Sequence, residues 1–155
     1  MEIIKVSKND EELIEQIAFW IHEEWGINEG ESLDLNRAYV KSSLCENKIP
    51  QTFALMDDKK IIGTFQIGLS DCDAKQDVYP WLRNVFIEEK NRGKGYLNEI
   101  IKFLKNQMRV LNINEIYLFT EHKDLYEKYG FDFIEEFDTF IEGKRIQRLY
   151  RLINK

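Results

Sequence analysis

Residues 92–97, Arg92-Gly93-Lys94-Gly95-Tyr96-Leu97, place two glycines and two cations at the mouth of an amphipathic run. Leu97, Ile100, Ile101, Leu104, Met108 and Leu111 recur at three- and four-residue steps, which predicts a helix with one apolar stripe. No Ser, Thr, Asp or Asn stands at the expected cap position, so the free N–H groups of the first turn lack an obvious internal partner. Glycine lets a backbone come close to a ligand, and the positive end of a helix favours an anion. The simplest chemistry for such a mouth is to hold a phosphate. The same residues alone would also make an ordinary solvated turn, and what favours the anion is the strand before and the helix after. A Walker loop is excluded because no Gly-Lys-Ser or Gly-Lys-Thr closes the turn, and the dinucleotide fingerprint lacks its third glycine.

With Arg92, Gly95 and Leu97 at its three marked places, the turn resembles the signature of the GNAT superfamily of acyl-CoA-dependent N-acyltransferases. That signature is Arg or Gln, two free positions, Gly, one free position, then Gly or Ala. Leu97 departs from the small residue usual there. A second segment, Leu125-Tyr126-Glu127-Lys128-Tyr129-Gly130-Phe131, is similar to the family's later motif, in which a Tyr precedes a Gly-Phe pair. The order of expected elements agrees from end to end, so the resemblance covers essentially the whole chain.

The resemblance implies a single GNAT-like domain over residues 1–155. Its fold would be α/β, with a central mixed, largely antiparallel sheet, a V-shaped splay between two parallel central strands, and helices on both faces. The implied reaction is transfer of an acetyl group from acetyl-CoA to a primary amine of a small-molecule or protein acceptor, by direct attack in a ternary complex. Main-chain groups of Val85, Phe86 and Ile87 would pair with the pantetheine arm as an added strand pairs with a sheet edge, their side chains packing in the core. N–H groups of Arg92, Gly93, Lys94, Gly95, Tyr96 and Leu97 would hold the diphosphate, with Arg92 and Lys94 adding charge. Tyr126 stands where the family has its general acid. Trp81 occupies the place of a carboxylate base found in some members, which leaves Glu121 and His122 as base candidates, or a water chain with no dedicated base. Asp73, Asp77 and Glu24 could bind a cationic acceptor. Leu97 and Trp81 also motivate an alternative: a CoA-binding sensor or interaction module on the same fold with weak or no turnover.

Composition bounds the rest. A 155-residue chain, 43% hydrophobic and 32% charged, is that of one soluble globular domain. No apolar run reaches bilayer length and the N-terminal residues lack a secretory pattern, so the expected compartment is the cytoplasm, without membrane partners. Cys45 and Cys72 are too few and too irregularly spaced for a disulfide framework or a metal site, and read as packed thiols. Residues 1–80 carry 16 acidic and 8 basic side chains, net −8, and residues 81–155 carry 12 and 14, net +2. Such a balance suits a cationic acceptor steered to the first half and disfavours nucleic acid. A monomer and a homodimer fit equally.

Along the chain, Ile3 to Val6 reads as a strand. Asn9 with Glu12 reads as the capping box of a helix over Leu13, Ile14, Ile17, Trp20 and Ile21 that ends near Trp25-Gly26. Ser32 caps a second helix over Leu35, Tyr39, Val40 and Leu44. Thr52 to Met56 and Lys60 to Leu69 form a hairpin turning at Asp57-Asp58, and residues 70–79 a polar loop. The strand ending at Ile87, the helix from Leu97 and the strand Glu115–Thr120 make a right-handed parallel crossover that puts both strands at the sheet centre. His122 to Tyr129 reads as a short helix closed by Gly130. Phe131 to Phe137 and Arg145 to Leu152 pair antiparallel.

Overall fold

The computed structural model describes residues 1–154. Seven strands form one mixed sheet in the order β1-β2-β3-β4-β5-β7-β6, as expected from the sequence for an α/β chain. The chain falls into two compact units, residues 1–68 with 83–94, and residues 69–82 with 95–155.

The first unit opens with β1 (Glu2–Lys5), α1 (Glu11–Ile21) and a wider-wound turn of π-helix over His22–Gly26. The helical run therefore ends where Trp25-Gly26 predicts. Its start differs from expectation. Asp10, not Asn9, holds the N-cap position, and its carboxylate accepts from the Ser7 N–H (2.8 Å) rather than from the helix. The Ser7–Asp10 turn, closed by Asp10 N–H on the Ser7 carbonyl (3.0 Å), uses the side chain that would otherwise cap. α2 (Leu33–Lys41) begins as the sequence indicates, Ser32 Oγ accepting from the Leu35 N–H at 3.0 Å.

β2 (Gln51–Asp57) and β3 (Lys60–Gly68) pair antiparallel through a two-residue turn. Asp58 and Lys59 both take positive φ, 49° and 62°, the twist that a tight hairpin requires. β1 joins the outer edge of β2. Val6, Ile14, Ile17, Ala18, Ile21, Val40 and Ala54 make the apolar centre of this unit, so the α1 stripe packs as its period dictates.

β4 spans Trp81–Ile87 and gives Trp81 and Leu82 to the second unit and the remainder to the first. In the second unit, α3 (Tyr96–Val110) buries Ile100, Ile101, Leu104 and Met108, each contributing roughly 1.5–3 kcal/mol by transfer from water. β5 (Glu115–Thr120) pairs parallel to β4 at Trp81↔Tyr117, with Tyr117 N–H donating to the Pro80 carbonyl (2.9 Å). β7 (Ile146–Ile153) lies antiparallel between β5 and β6 (Asp132–Asp138). Only Tyr126–Tyr129 of the expected His122–Tyr129 helix is helical, as one 3-10 turn. Asp124 takes φ +62°, which right-handed helix cannot contain, and Gly130 at φ +94° closes the turn as expected.

Candidate functional site

β4 is followed by a 3-10 turn at Glu89–Asn91. The chain then reaches α3 through two left-handed glycines, Gly93 at φ +76° and Gly95 at φ +82°. A Cβ at either glycine would meet nothing within 4 Å, so the backbone angle and not crowding is what calls for glycine. Gly95 is the N-cap and supplies no side-chain oxygen. The helical ladder begins with Glu99 N–H on the Gly95 carbonyl (3.4 Å), which leaves the N–H groups of Tyr96, Leu97 and Asn98 outside the ladder at the positive end of a fifteen-residue helix. Leu97 is half-buried. Lys94 Nζ donates to Asn91 Oδ1 (3.3 Å). Arg92 lies back on β4: its Nε donates to the Ile87 carbonyl (2.8 Å) and its guanidinium stands 5.7 Å from the centre of the Phe86 ring.

Val85, Phe86 and Ile87 are half-buried, where the sequence placed their side chains in the core. Phe86 packs against Trp20 of α1, the two ring centres 5.0 Å apart at a 36° tilt, with the Arg92 guanidinium also beside its ring. Gly63 of β3 lets the two strands approach closely, since a Cβ there would stand 2.7 Å from the Phe86 carbonyl oxygen.

The residues just before these three carry a feature that strand periodicity missed. Asn84 sits inside β4 with φ +52°, so the strand cannot continue its regular pleat through that point. Its Nδ2 donates to Gln66 Oε1 (2.7 Å) and to the Tyr39 hydroxyl (3.4 Å). Arg83, 5% exposed, donates from Nε to the same Gln66 oxygen (3.1 Å) and from Nη2 to Ser43 Oγ (3.2 Å), with its guanidinium 4.6 Å from the Tyr39 ring centre. Gln66 Nε2 reaches Thr52 Oγ1 (3.0 Å), which donates to the Ser43 carbonyl (2.7 Å). Gly68 leaves the space its Cβ would take to the Arg83 guanidinium. The signal was present in the sequence as Thr52, Gln66 and Arg83 at strand positions, where apolar residues are usual.

In the second unit Tyr126 is 9% exposed, its ring edge-on to Phe131 (5.6 Å) and tilted against Tyr150 (6.3 Å). Burial of the phenol, with a smaller contribution from Tyr129, pushes its pKa up to about 12. The hydroxyl makes no hydrogen bond among the described residues. Glu121 and His122 are exposed. His122 is held through its main chain, by its N–H on Thr120 Oγ1 (3.2 Å) and its carbonyl under the Tyr150 hydroxyl (3.3 Å). Trp81 is fully buried with Tyr117 and Leu149, its Nε1 donating to the Val78 carbonyl (3.0 Å). Asp73 and Asp77 are exposed on the 69–80 loop, which Lys75 ties to Glu135, and Glu24 is exposed in the π-helical turn of the first unit. Among the described residues no group of three His, Cys, Asp or Glu is placed to hold a metal, and no helix is long and apolar enough to cross a membrane.

A helix mouth lined with free main-chain donors, and elsewhere a buried neutral phenol, are the parts that anion binding and proton donation need. Residues 49–132, more than half of the chain, match the family described as acetyltransferase (GNAT) domain. Similar solved structures include an aminoglycoside 6'-N-acetyltransferase complexed with coenzyme A, at TM-score 0.77 and 14% identity over 100% of this chain and 98% of that one. An aminoglycoside 6'-N-acetyltransferase from Enterococcus faecium has TM-score 0.74 and 14% identity over the same shares. A spermidine N-acetyltransferase from Vibrio cholerae has TM-score 0.68 and 18% identity, over 99% of this chain and 95% of that one. At these identities the likeness is one of fold, and no curated protein matches the sequence. Fold, helix mouth and family match agree: the chain belongs to the GNAT acetyltransferase family.

Proposed function

We propose that residues 1–155 act as one N-acetyltransferase domain that passes the acetyl group of acetyl-CoA to a primary amine, by direct attack in a ternary complex. The observation that carries this reading is the uncapped, glycine-opened mouth of α3. Main-chain N–H groups from Gly93 through Leu97 hold the diphosphate, the Arg92 N–H that the sequence also offered being already given to the Glu89 carbonyl (3.2 Å), and Arg92 and Lys94 add positive charge that water and salt weaken. Main-chain groups of Val85, Phe86 and Ile87 take the pantetheine arm. Arg92 already occupies the Ile87 carbonyl, so that group is shared or released when the cofactor binds.

Tyr126 serves the leaving thiolate. A phenol at about 12 stays protonated throughout the neutral range and so arrives as a donor. Full transfer of its proton to a thiolate of pKa about 8.5 is uphill by about 5 kcal/mol, so hydrogen bonding to the developing charge outweighs complete transfer. Glu121 and His122 remain the candidates to take the amine's proton, directly or through water, since both face solvent near the end of β5.

The acceptor is a small polycationic amine. The net −8 of residues 1–80 supports this, and aminoglycosides and spermidine are the acceptors named for the similar folds. The test is thiol release from acetyl-CoA against a panel of polyamines, aminoglycosides, amino acids and peptide N-termini. Turnover confined to the polycations is expected. Tight CoA binding with no thiol release from any amine would overturn the transferase reading in favour of a CoA-binding module.

A further inference from the structure

A hydroxyl on β7, far in sequence from the Tyr126 motif, fastens the segment that carries Tyr126. Tyr150 is fully buried, and its hydroxyl accepts from Arg148 Nε at 2.9 Å. It has one proton to give and two acceptors within reach, Glu127 Oε2 at 3.1 Å and the His122 carbonyl at 3.3 Å. Those two acceptors bracket Tyr126 in the chain. Arg148 is itself fixed, its guanidinium 4.0 Å from the Phe133 ring centre and its Nη1 3.5 Å from Glu136, so it feeds one lone pair of the hydroxyl and leaves the proton for the bracket.

The bracketed segment has little regular structure, and its other ties include the His122 N–H on Thr120 Oγ1 (3.2 Å) and the Phe131 N–H on the Tyr126 carbonyl (3.2 Å). Residues 121–125 form no helix or strand, Asp124 is left-handed, and only Tyr126–Tyr129 makes a single 3-10 turn. The Tyr126 phenol is placed by ring packing alone, against Phe131 and against Tyr150 itself. We propose that Tyr150 is a positioning residue for the reaction: its hydroxyl, sharing one proton between the Glu127 carboxylate and the His122 carbonyl, ties the chain on either side of Tyr126 while its ring braces the phenol. The inference rests on the assignment of Tyr126 as the donor to the leaving thiolate.

The experiment is a double-mutant cycle with Tyr126→Phe and Tyr150→Phe. The probes are acetyl-CoA and the fastest amine of the panel, and CoA affinity and melting temperature are measured in parallel. Tyr150→Phe keeps the ring and removes the pin. It is expected to lower kcat about tenfold while the dissociation constant for CoA stays within about twofold, and to add less than about twofold in the Tyr126→Phe background. Glu127→Ala is expected to lower kcat in the same way, and Glu127→Gln, which keeps an acceptor, to recover it. These two keep the test open should Tyr150→Phe fold poorly. A kcat unchanged by Tyr150→Phe where Tyr126→Phe is impaired overturns the inference and leaves the Tyr126 assignment standing, as does an equal loss in both backgrounds. A rate indifferent to Tyr126→Phe removes the assignment and the inference together.

Discussion

Replacing Gly95 by alanine separates the backbone role of this residue from every other effect. A methyl group there meets no atom within 4 Å, so the substitution introduces no clash, and what remains is the left-handed φ of +82°. For an L-residue that conformation costs about 1–2 kcal/mol. The helix mouth can keep its shape and carry the strain, or relax and turn its N–H groups away from the phosphate. In the first case apo stability falls and cofactor affinity does not; in the second, affinity falls by about 5- to 30-fold. The open surroundings of Gly95 offer no packing to hold the strained form, which favours relaxation. The assay compares kcat/KM for acetyl-CoA with kcat/KM for acetyl-pantetheine, which lacks the diphosphate. The Gly95→Ala penalty should fall on acetyl-CoA alone, and Gly95→Asn, a residue that tolerates left-handed backbone, should recover part of it. A folded Gly95→Ala protein that matches the wild type both in stability and in its use of acetyl-CoA, or that loses both donors alike, refutes the phosphate assignment of the turn.

Tyr126→Phe should lower kcat by about 10- to 100-fold with CoA affinity retained. Because the phenol ionises only near about 12, the pH-rate profiles of the two proteins should run parallel up to about pH 10, and a basic limb lost in the variant would contradict this. Asn84→Ala combines left-handed strain with loss of the bond to Gln66, about 2–3 kcal/mol, and should lower the melting temperature by about 5–10 °C. Asn84→Gly removes the strain but not the lost bond, so it should fall between the two in a thermal scan. Asp138 is bonded by Arg145 and by the Phe140 N–H, which hold its carboxyl down to about 2. A depressed carboxyl contributes stability that is present above its unfolded pKa of about 4 and is lost as pH falls toward 2. Melting curves of Asp138→Asn should therefore lack that part of the acid slope.

Much of this molecule is written in local spacing. The α3 stripe, the bounds of β5 at Glu115 and Thr120, the Ser32 cap and the closing Gly130 all follow from side-chain period and from which residues accept a given φ. These depend on neighbours a few positions away, and one sequence holds them all. The family likeness rests on the same kind of information, because a glycine turn opening a helix is a local object.

What the sequence could not decide is which distant groups share a proton or a lone pair. The spacing to Glu12 points to Asn9 as the cap, yet Asp10 takes the position and the Ser7 turn takes its carboxylate. Asn84 leaves the strand pleat because Gln66, 18 residues earlier, meets its side chain. Arg83 is buried because Ser43 lies 40 residues before it in the chain and beside it in space. Tyr126 keeps its proton to about 12 because folding removes water from around it, and its chain segment is fixed by a hydroxyl on β7. Period and φ are properties of the chain at each point along it. Burial and hydrogen-bond partnership arise only when register brings separate stretches together, and they set the proton affinities and the positions on which the chemistry turns.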